Sequence, residues 1–331
     1  MDAIDRPPTR HRPARFAQGF GQRFILTVDT EEEFDWSRPL SREEHGLEHV
    51  SQLGRFQQFC AGQGVVPIYL IDWPIAQSRL AAEILKPALD AGEAEIGVQL
   101  HPWVNPPFEE EVTERHSYAR NLPPELERAK LLNLRDAIEA NFGHAPLIYR
   151  AGRYGAGGST PQILREAGIA IDTSVRTKFD YAAAGGPDYT AHPLEPYWLD
   201  DAKELLELPL TTVFWGLLRQ MGDALFPVFW RAPRLRGVAS KLGLLERIAL
   251  TPEGIPIEDA LKGTDIAIDM GLPILNFSFH SPSLAPGHTP YVRDEADLDA
   301  LYDWWRRIFA HLAARDVKPA SVSQVMDAVV R

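Results

Sequence analysis

The sequence predicts an α/β domain built on a parallel sheet, and two observations lead to this prediction. Short apolar runs rich in β-branched residues alternate with segments of helical periodicity along nearly the whole chain. The composition has no internal break and is that of a packed protein, with 45% hydrophobic and 24% charged residues. Strand–helix alternation of this kind is typical of parallel sheets, because the crossover helix returns each strand to the same end. We therefore expect one domain over residues 23–331, preceded by a flexible polar tail at 1–22.

Each predicted element has its own signal. The strands are short apolar runs, and they lie at 23–30, 65–72, 93–100, 145–152, 169–175, 204–211, 272–280 and 319–325. The helices show helical spacing of apolar residues, often with a glycine at the end, and they lie near 47–59 and at 78–92, 124–143, 159–168 and 295–315. The Trp-, Arg- and Leu-rich segment 213–263 interrupts this rhythm, and we interpret it as a helical excursion across the core.

The bulk properties exclude several classes of function. A formal net charge of -12 argues against nucleic acid and anionic membranes as partners. No apolar run approaches the roughly 20 residues that cross a bilayer, and the N-terminus lacks the pattern of a secretory signal. The single cysteine, Cys60, forms no intramolecular disulfide, which fits a reducing compartment. We expect a cytoplasmic protein without a membrane span.

Polar and ionisable side chains follow six of the predicted strands. The carboxyl ends of parallel strands meet at one edge of a sheet or barrel, so these side chains are expected to surround one pocket. They are Asp29, Glu31, Asp72, Gln99, His101, Arg150, Arg153, Tyr154, Asp172 and His280.

Two pairs at these strand ends suggest chemistry. Asp29 and Glu31 are two residues apart, so they share one side of an extended chain, and two crowded carboxylates need a cation or a shared proton. The alternative is a solvated acidic turn, since "EEEFD" is simply acidic. Gln99 and His101 are also two apart; imidazole is a good ligand for zinc, whereas an amide oxygen is a weak one. His280 at another strand end offers an acid near neutral pH.

The blocks "TVDTEEE", "EIGVQLHPW", "YRAGRYG" and "NFSFHSPSL", in this order, resemble the polysaccharide deacetylase superfamily, which is NodB-like and forms carbohydrate esterase family four. The resemblance spans about residues 23–330 and is greatest to the subgroup found in bacterial surface-polysaccharide clusters. It implies an irregular (β/α)7-type barrel, here with the helical excursion near 213–263. It also implies a divalent metal, with zinc expected, and hydrolytic removal of an N-acetyl group from a sugar of a polysaccharide or its precursor.

The resemblance implies a role for each matching residue. Asp29 would be the base that accepts a proton from the attacking water, and Arg150 would pair with it. Glu31 would stand in for a metal-binding Asp, with His101 as a further ligand. His280 would be the acid that protonates the leaving amine.

The sequence departs from the family pattern at the metal ligands. Gln99 occupies a position where related sequences carry a histidine, and Thr30 stands where the metal-binding Asp is usual. Three outcomes follow: weaker metal binding with Gln99 as a third ligand, a replacement such as His116, or loss of the metal. The corresponding alternative functions are hydrolysis of another non-peptide C–N bond, as in a cyclic amide, and a catalytically impaired sugar-binding relative.

Three residues are candidates for substrate binding. Arg153 and Tyr154 follow the fourth predicted strand, and Trp103 follows His101 and offers a ring that could stack on a sugar face. We expect the partner to be an N-acetylated sugar or a related small amide.

Overall fold

The structure is a computed structural model, and it describes residues 1–35, 38–230, 237 and 242–331. Its centre is a curled, mostly parallel sheet surrounded by helices, which confirms the predicted α/β barrel class. Within the described residues, no helix is long and apolar enough to cross a membrane.

The sheet is a series of short, buried strands. In the described part of the chain, the sheet has the order β10-β1-β2-β3-β4-β5-β7-β6, with β11 also beside β1. All of these neighbours are parallel except β6 and β7, and β8 and β9 form a separate antiparallel pair. β1 and β10 are buried along almost their whole length, including the polar side chains of Thr27, Asn276 and Ser278. The strands are β1 (Arg23–Thr30), β2 (Pro67–Ile71), β3 (Glu95–Leu100), β4 (Ile148–Ala151), β5 (Ile171–Asp172), β6 (Tyr197–Trp198), β7 (Leu206–Glu207), β8 (Thr212–Trp215), β9 (Glu246–Ala249), β10 (Ile274–His280) and β11 (Lys318–Pro319).

The helices cover the outer face of the sheet. Several helices begin with a side-chain cap; Ser78, for example, caps the helix Arg79–Asp90. The helix Pro124–Phe142 ends at Gly143, which has a left-handed conformation with φ 79°. The helices are α1 (Leu53–Gly62), α2 (Trp73–Ala76), α3 (Arg79–Asp90), α4 (Pro124–Phe142), α5 (Thr160–Glu166), α6 (Gly222–Trp230), α7 (Ile257–Asp269), α8 (Glu295–Ala314) and α9 (Val322–Ala328).

The excursion near 213–263 is only partly helical. It contains α6 and the start of α7, but β8 and β9 pair as antiparallel strands, with Thr212 opposite Ala249 and Trp215 opposite Glu246. Residues 231–236 and 238–241 of the predicted excursion lie outside the described residues. The strand pair was hidden in the sequence because aromatic residues support both helical and strand interpretations when the run is short.

Both ends of the chain differ from expectation. The predicted strand 319–325 is wrong, because Ser321 forms a capping box with Gln324 and starts α9, leaving only Lys318–Pro319 extended. The N-terminal residues, expected to be a flexible tail, pack against the barrel. Ile4 is fully buried, and Asp2 and Ala14 donate backbone hydrogen bonds to the 196–199 segment.

Candidate active site

A cavity of about 390 Å³ opens at the carboxyl edge of the sheet. Eight of the nine predicted site residues line it, which are Asp29, Glu31, Gln99, His101, Arg150, Arg153, Tyr154 and His280. The strand register explains part of this clustering, because Asp29 lies opposite His280 in β1 and β10, and Gln99 lies opposite Arg150 in β3 and β4. Polar strand ends on neighbouring parallel strands therefore converge as predicted.

Asp29 and Arg150 form a buried ion pair on the floor of the cavity. Arg150 Nη1 donates to Asp29 Oδ1, and both side chains are 1% exposed. The guanidinium is fixed by further bonds, from Nη2 to Thr27 Oγ1 at 2.9 Å and from Nε to the Thr173 carbonyl at 3.1 Å. Arg150 is itself fixed on three sides, so it sets the orientation of the Asp29 carboxylate.

His280 lies beside this pair and is supported from behind by Glu253. His280 Nε2 is 3.6 Å from Asp29 Oδ2, and its Nδ1 is 2.6 Å from Glu253 Oε2. Ser283 Oγ donates to the other Glu253 oxygen at 2.7 Å, which fixes the carboxylate. Burial lowers the pKa of His280, but the charge and hydrogen bond of Glu253, together with the charges of Glu31 and Asp29, outweigh burial and raise the pKa to about 10. At neutral pH His280 is thus an imidazolium that directs Nε2 into the cavity.

Glu31, Gln99 and His101 converge on a second wall of the cavity. Glu31 Oε2 accepts a hydrogen bond from Gln99 Nε2 at 2.9 Å and lies 3.4 Å from His101 Nε2. The three side chains are almost completely buried. Gln99 Oε1 is buried without a hydrogen-bond partner among the described residues.

A further carboxyl pair holds His101 from its other side. His101 Nδ1 is 2.8 Å from Glu32 Oε2, and the Glu32 backbone N–H donates to Asp72 Oδ2 at 2.7 Å. Burial raises the pKa of Asp72 well above its usual range, and the hydrogen bond and negative charge of Glu32 add to the rise. Burial opposes a charge on His101, but Glu32 and Glu31 raise its pKa well above the ordinary value.

Two donor sets around His101 could hold a divalent cation. Glu32, Asp72 and His101 offer atoms within 4.8 Å of one another. However, Glu32 already contacts His101 Nδ1. Proteins commonly use a carboxylate on one imidazole nitrogen to orient a histidine that binds a metal through the other nitrogen. Two ligands about 2.0–2.2 Å from a tetrahedral zinc lie roughly 3.3–3.5 Å apart, and Glu31 and His101 Nε2 are separated by 3.4 Å.

Gln99 supports the second donor set, which consists of Glu31 and His101. Its oxygen and nitrogen are interchangeable by rotation of the amide, and the buried, unpartnered Oε1 then becomes a candidate third donor toward the same point. Glu31, Gln99 and His101 fit a divalent metal as a weak ligand set, with Glu32 and Asp72 behind them.

Arg153 and Tyr154 form the rim of the cavity in an unusual backbone conformation. Both have positive φ angles, 53° and 61°, which are rare for residues with a side chain and cost free energy. The Arg153 guanidinium stacks on the Tyr118 ring at 4.4 Å and donates to Ser117 Oγ at 2.6 Å. The turn aims both side chains at the opening, where a substrate would pass.

Trp103 and His116 do not join the cavity. The chain turns after β3, where Val104 N–H donates to the His101 carbonyl at 3.3 Å, and this turn folds the Trp103 ring onto His101 with centroids 4.4 Å apart. Trp103 is 2% exposed, so the sugar-stacking prediction for it is wrong; it packs behind the imidazole. His116 lies in the loop before α4 with Nδ1 3.1 Å from the Glu111 carbonyl oxygen, so it does not replace Gln99.

A Ser–His–Glu chain runs beneath the site but does not present a nucleophile. His49 lies 2.7 Å from Glu33 Oε1 through Nδ1 and 2.8 Å from Ser281 Oγ through Nε2. Ser281 is fully buried and accepts the backbone N–H of Glu31 at 3.3 Å. The chain therefore fixes the backbone of the acidic segment 31–33 rather than attacking a substrate.

Sequence reasoning missed three functional neighbours. Glu253 comes from the loop after β9, and no spacing in the sequence relates it to His280. Glu32 was concealed within a run of three glutamates. Arg176 lines the cavity from the segment after β5, which the sequence offers only as an irregular loop.

No protein-family model and no curated protein sequence matches the chain. The solved structures do: a Mycobacterium smegmatis protein assigned as a polysaccharide deacetylase is 18% identical, with 95% of this chain and 98% of that chain covered and a TM-score of 0.50. The chain thus shares the fold of this protein, and the predicted resemblance is confirmed at the level of fold.

Other solved structures share the architecture. A branching enzyme of glycoside hydrolase family 57 from Thermococcus kodakaraensis is 12% identical over 93% of this chain and 71% of that chain, with a TM-score of 0.50. A family 4 carbohydrate esterase from Streptomyces lividans is 10% identical over 93% and 97% of the two chains, with a TM-score of 0.43. Because the fold occurs in proteins of different chemistry, the function must be argued from the site.

Proposed function

We propose that this protein is a metal-dependent hydrolase that removes an N-acetyl group from a sugar of a polysaccharide or its precursor. The observation that carries the proposal is that three groups of side chains line one cavity. They are Asp29 with Arg150, His280 with Glu253, and Glu31 with Gln99 and His101. Amide hydrolysis needs a base, an acid and an electrophilic site within reach of one carbonyl group, and this cavity offers a group for each.

Each side chain has a definite task in this proposal. Asp29, paired with and oriented by Arg150, accepts a proton from the attacking water. His280 donates its Nε2 proton to the departing amine nitrogen, and Glu253 keeps the imidazole charged. A divalent ion, which we take to be zinc, would be held by Glu31, Gln99 and His101 and would supply Lewis acidity for the water and the acyl oxygen. No serine nucleophile is needed.

The test is release of acetate from N-acetylglucosamine oligomers and from an N-acetylated sugar nucleotide. Wild type should release acetate, lose activity with a chelator and regain it with zinc. Asp29→Asn and His280→Ala should each abolish the activity, whereas Glu258→Gln, a change of an exposed carboxylate that pairs with Arg307 at 3.2 Å, should not. Equal trace rates in wild type and in both site variants would refute the proposed roles.

A second candidate function rests on Gln99. Its amide donates to Glu31, so one of the three positions offers only a weak ligand. A barrel of this kind could bind an acetylated sugar without hydrolysing it. Elemental analysis of protein purified without added metal separates the two, since the binding protein would carry well below one divalent ion per chain and would bind sugar unchanged in the presence of chelator.

A further inference from the structure

Arg176 places a positive charge in the same cavity as the site described above. It follows β5 at the carboxyl edge of the sheet, where it forms a parallel bridge with Leu210, and its side chain lines the cavity. It is partly buried, so its guanidinium faces the cavity rather than open solvent.

The other arginines of the cavity have acidic partners, and Arg176 differs from them. Arg150 is paired with Asp29, and Arg153 has Glu114 at 3.3 Å. Within the described ranges, no carboxylate oxygen lies within 4 Å of the Arg176 guanidinium. Arg176 feels the charge of Glu253, but the oxygens of that carboxylate are engaged by His280 and Ser283.

Aromatic residues hold the guanidinium in place. It lies over the Phe179 ring at 4.1 Å and the Tyr154 ring at 5.0 Å, and Nη1 donates to the Tyr181 hydroxyl at 3.3 Å. This is the only hydrogen bond that the group makes to the described part of the chain, and a guanidinium has five N–H donors. Arg176 is thus immobilised by stacking while most of its donors remain available to a ligand.

A charged group that is taken partly out of water without an ion pair costs free energy unless a ligand of opposite charge binds there. The planar fork of a guanidinium matches phosphate and carboxylate oxygens. The position within the cavity means that such an oxyanion would belong to the molecule whose acyl group lies beside Asp29 and His280.

We propose that Arg176 binds an oxyanion on the substrate, so that the substrate is an acetylated sugar carrying a phosphate or a carboxylate group. This inference rests on the proposed function for its acyl group, but the anion site itself is tested by binding alone. The two sources of the oxyanion are a sugar phosphate, such as a nucleotide- or lipid-linked precursor, and a uronic acid.

The experiment measures calorimetric binding of three probes to Asp29→Asn protein, in which turnover is expected to be absent. The probes are N-acetylglucosamine 1-phosphate, the 6-carboxylate analogue of N-acetylglucosamine, and neutral N-acetylglucosamine. At least one anion should bind more tightly than the neutral sugar. Adding Arg176→Gln should raise the Kd of that anion roughly 10- to 100-fold, which is the effect of losing a charge-assisted hydrogen bond. Neutral sugar should bind equally with and without Arg176→Gln.

Two further variants keep the result interpretable. Arg176→Lys retains the charge and should restore part of the preference, while Arg79→Gln removes an exposed arginine that pairs with Glu83 and should change nothing. A preference for the phosphate probe identifies a sugar phosphate, and a preference for the carboxylate identifies a uronic acid. The inference is overturned if neither anion is preferred or if Arg176→Gln weakens all three probes alike. If wild-type protein releases no acetate but the preference for an anion is intact, the proposed function is refuted and the anion site is retained.

Discussion

Glu253→Gln gives the sharpest test of the acid in this site. The substitution keeps the size of the side chain and a hydrogen-bonding group next to His280 Nδ1, but removes the negative charge that lies 2.6 Å from it. That charge is the main cause that raises the pKa of His280 to about 10, against the burial that lowers it. Without the charge, the pKa should fall toward the ordinary value of 6.5.

The size of the effect depends on pH and can be worked out from these two values. If the pKa is about 10, His280 is almost fully protonated at pH 8. With a pKa near 6.5, only about 3% of it is protonated at pH 8 and roughly a quarter at pH 7. If the imidazolium is the acid, the variant should lose activity about 30-fold at pH 8, about fourfold at pH 7 and very little at pH 5.5.

The assay is the pH profile of kcat for acetate release, and NMR titration of the imidazole resonance that His280→Gln removes reports the pKa independently. The alkaline limb should lie near pH 10 in wild type and should move down by several units in Glu253→Gln. Ser283→Ala removes a hydrogen bond from Glu253 but leaves the charge, so it should keep the alkaline limb. An unchanged limb in Glu253→Gln, or a uniform loss at every pH, would refute the assignment of His280 as the acid that Glu253 controls.

Three other changes follow from the geometry. Arg150→Met leaves Asp29 buried without its partner and should lower the free energy of unfolding by about 3–5 kcal/mol in urea titrations, whereas a loss below about 1 kcal/mol would contradict the buried pair. Gln99→His replaces a weak ligand by a strong one and should lower the Kd for zinc measured by competition with a chelator, and an unchanged Kd would place the metal elsewhere. Gly152→Ala would put a Cβ 2.6 Å from the Leu100 carbonyl oxygen and against the His101 ring. It should therefore lower the free energy of unfolding by about 1–3 kcal/mol and also weaken zinc binding.

The sequence predicts the strand ends better than the loops, and the reason is physical. Asp29, Gln99, Arg150 and His280 belong to strands, whose parallel register fixes which residues are neighbours at the carboxyl edge. Short apolar runs along the chain are sufficient to find such strands. The convergence of these residues on one cavity therefore needed no tertiary information beyond the fold class.

The residues that sequence reasoning missed come from segments without periodicity. Glu253 reaches His280 from a loop that follows an unpredicted strand pair, and Arg176 lies in an irregular segment after β5. Trp103 shows the reverse error, since a residue next to a site residue in sequence turns away from the cavity when the backbone reverses. Loop conformation depends on contacts that are distant along the chain, and a single sequence does not encode them in a readable pattern.

The arrangement behind His101 bears on whether the site works. Burying Glu32 next to Asp72 is unfavourable, and the raised pKa of Asp72 reflects this cost, which the contact of Glu32 with His101 Nδ1 at 2.8 Å offsets. A histidine that only packs in a core needs no such support, since a single backbone carbonyl would satisfy its N–H group. The pair does what a ligand histidine requires: it fixes the tautomer and directs Nε2 toward Glu31. Because burying Glu32 and Asp72 behind His101 costs free energy, we infer that they orient His101 as a metal ligand. The weak amide ligand of Gln99 should therefore lower the affinity for the metal, while the orientation of His101 stays the same.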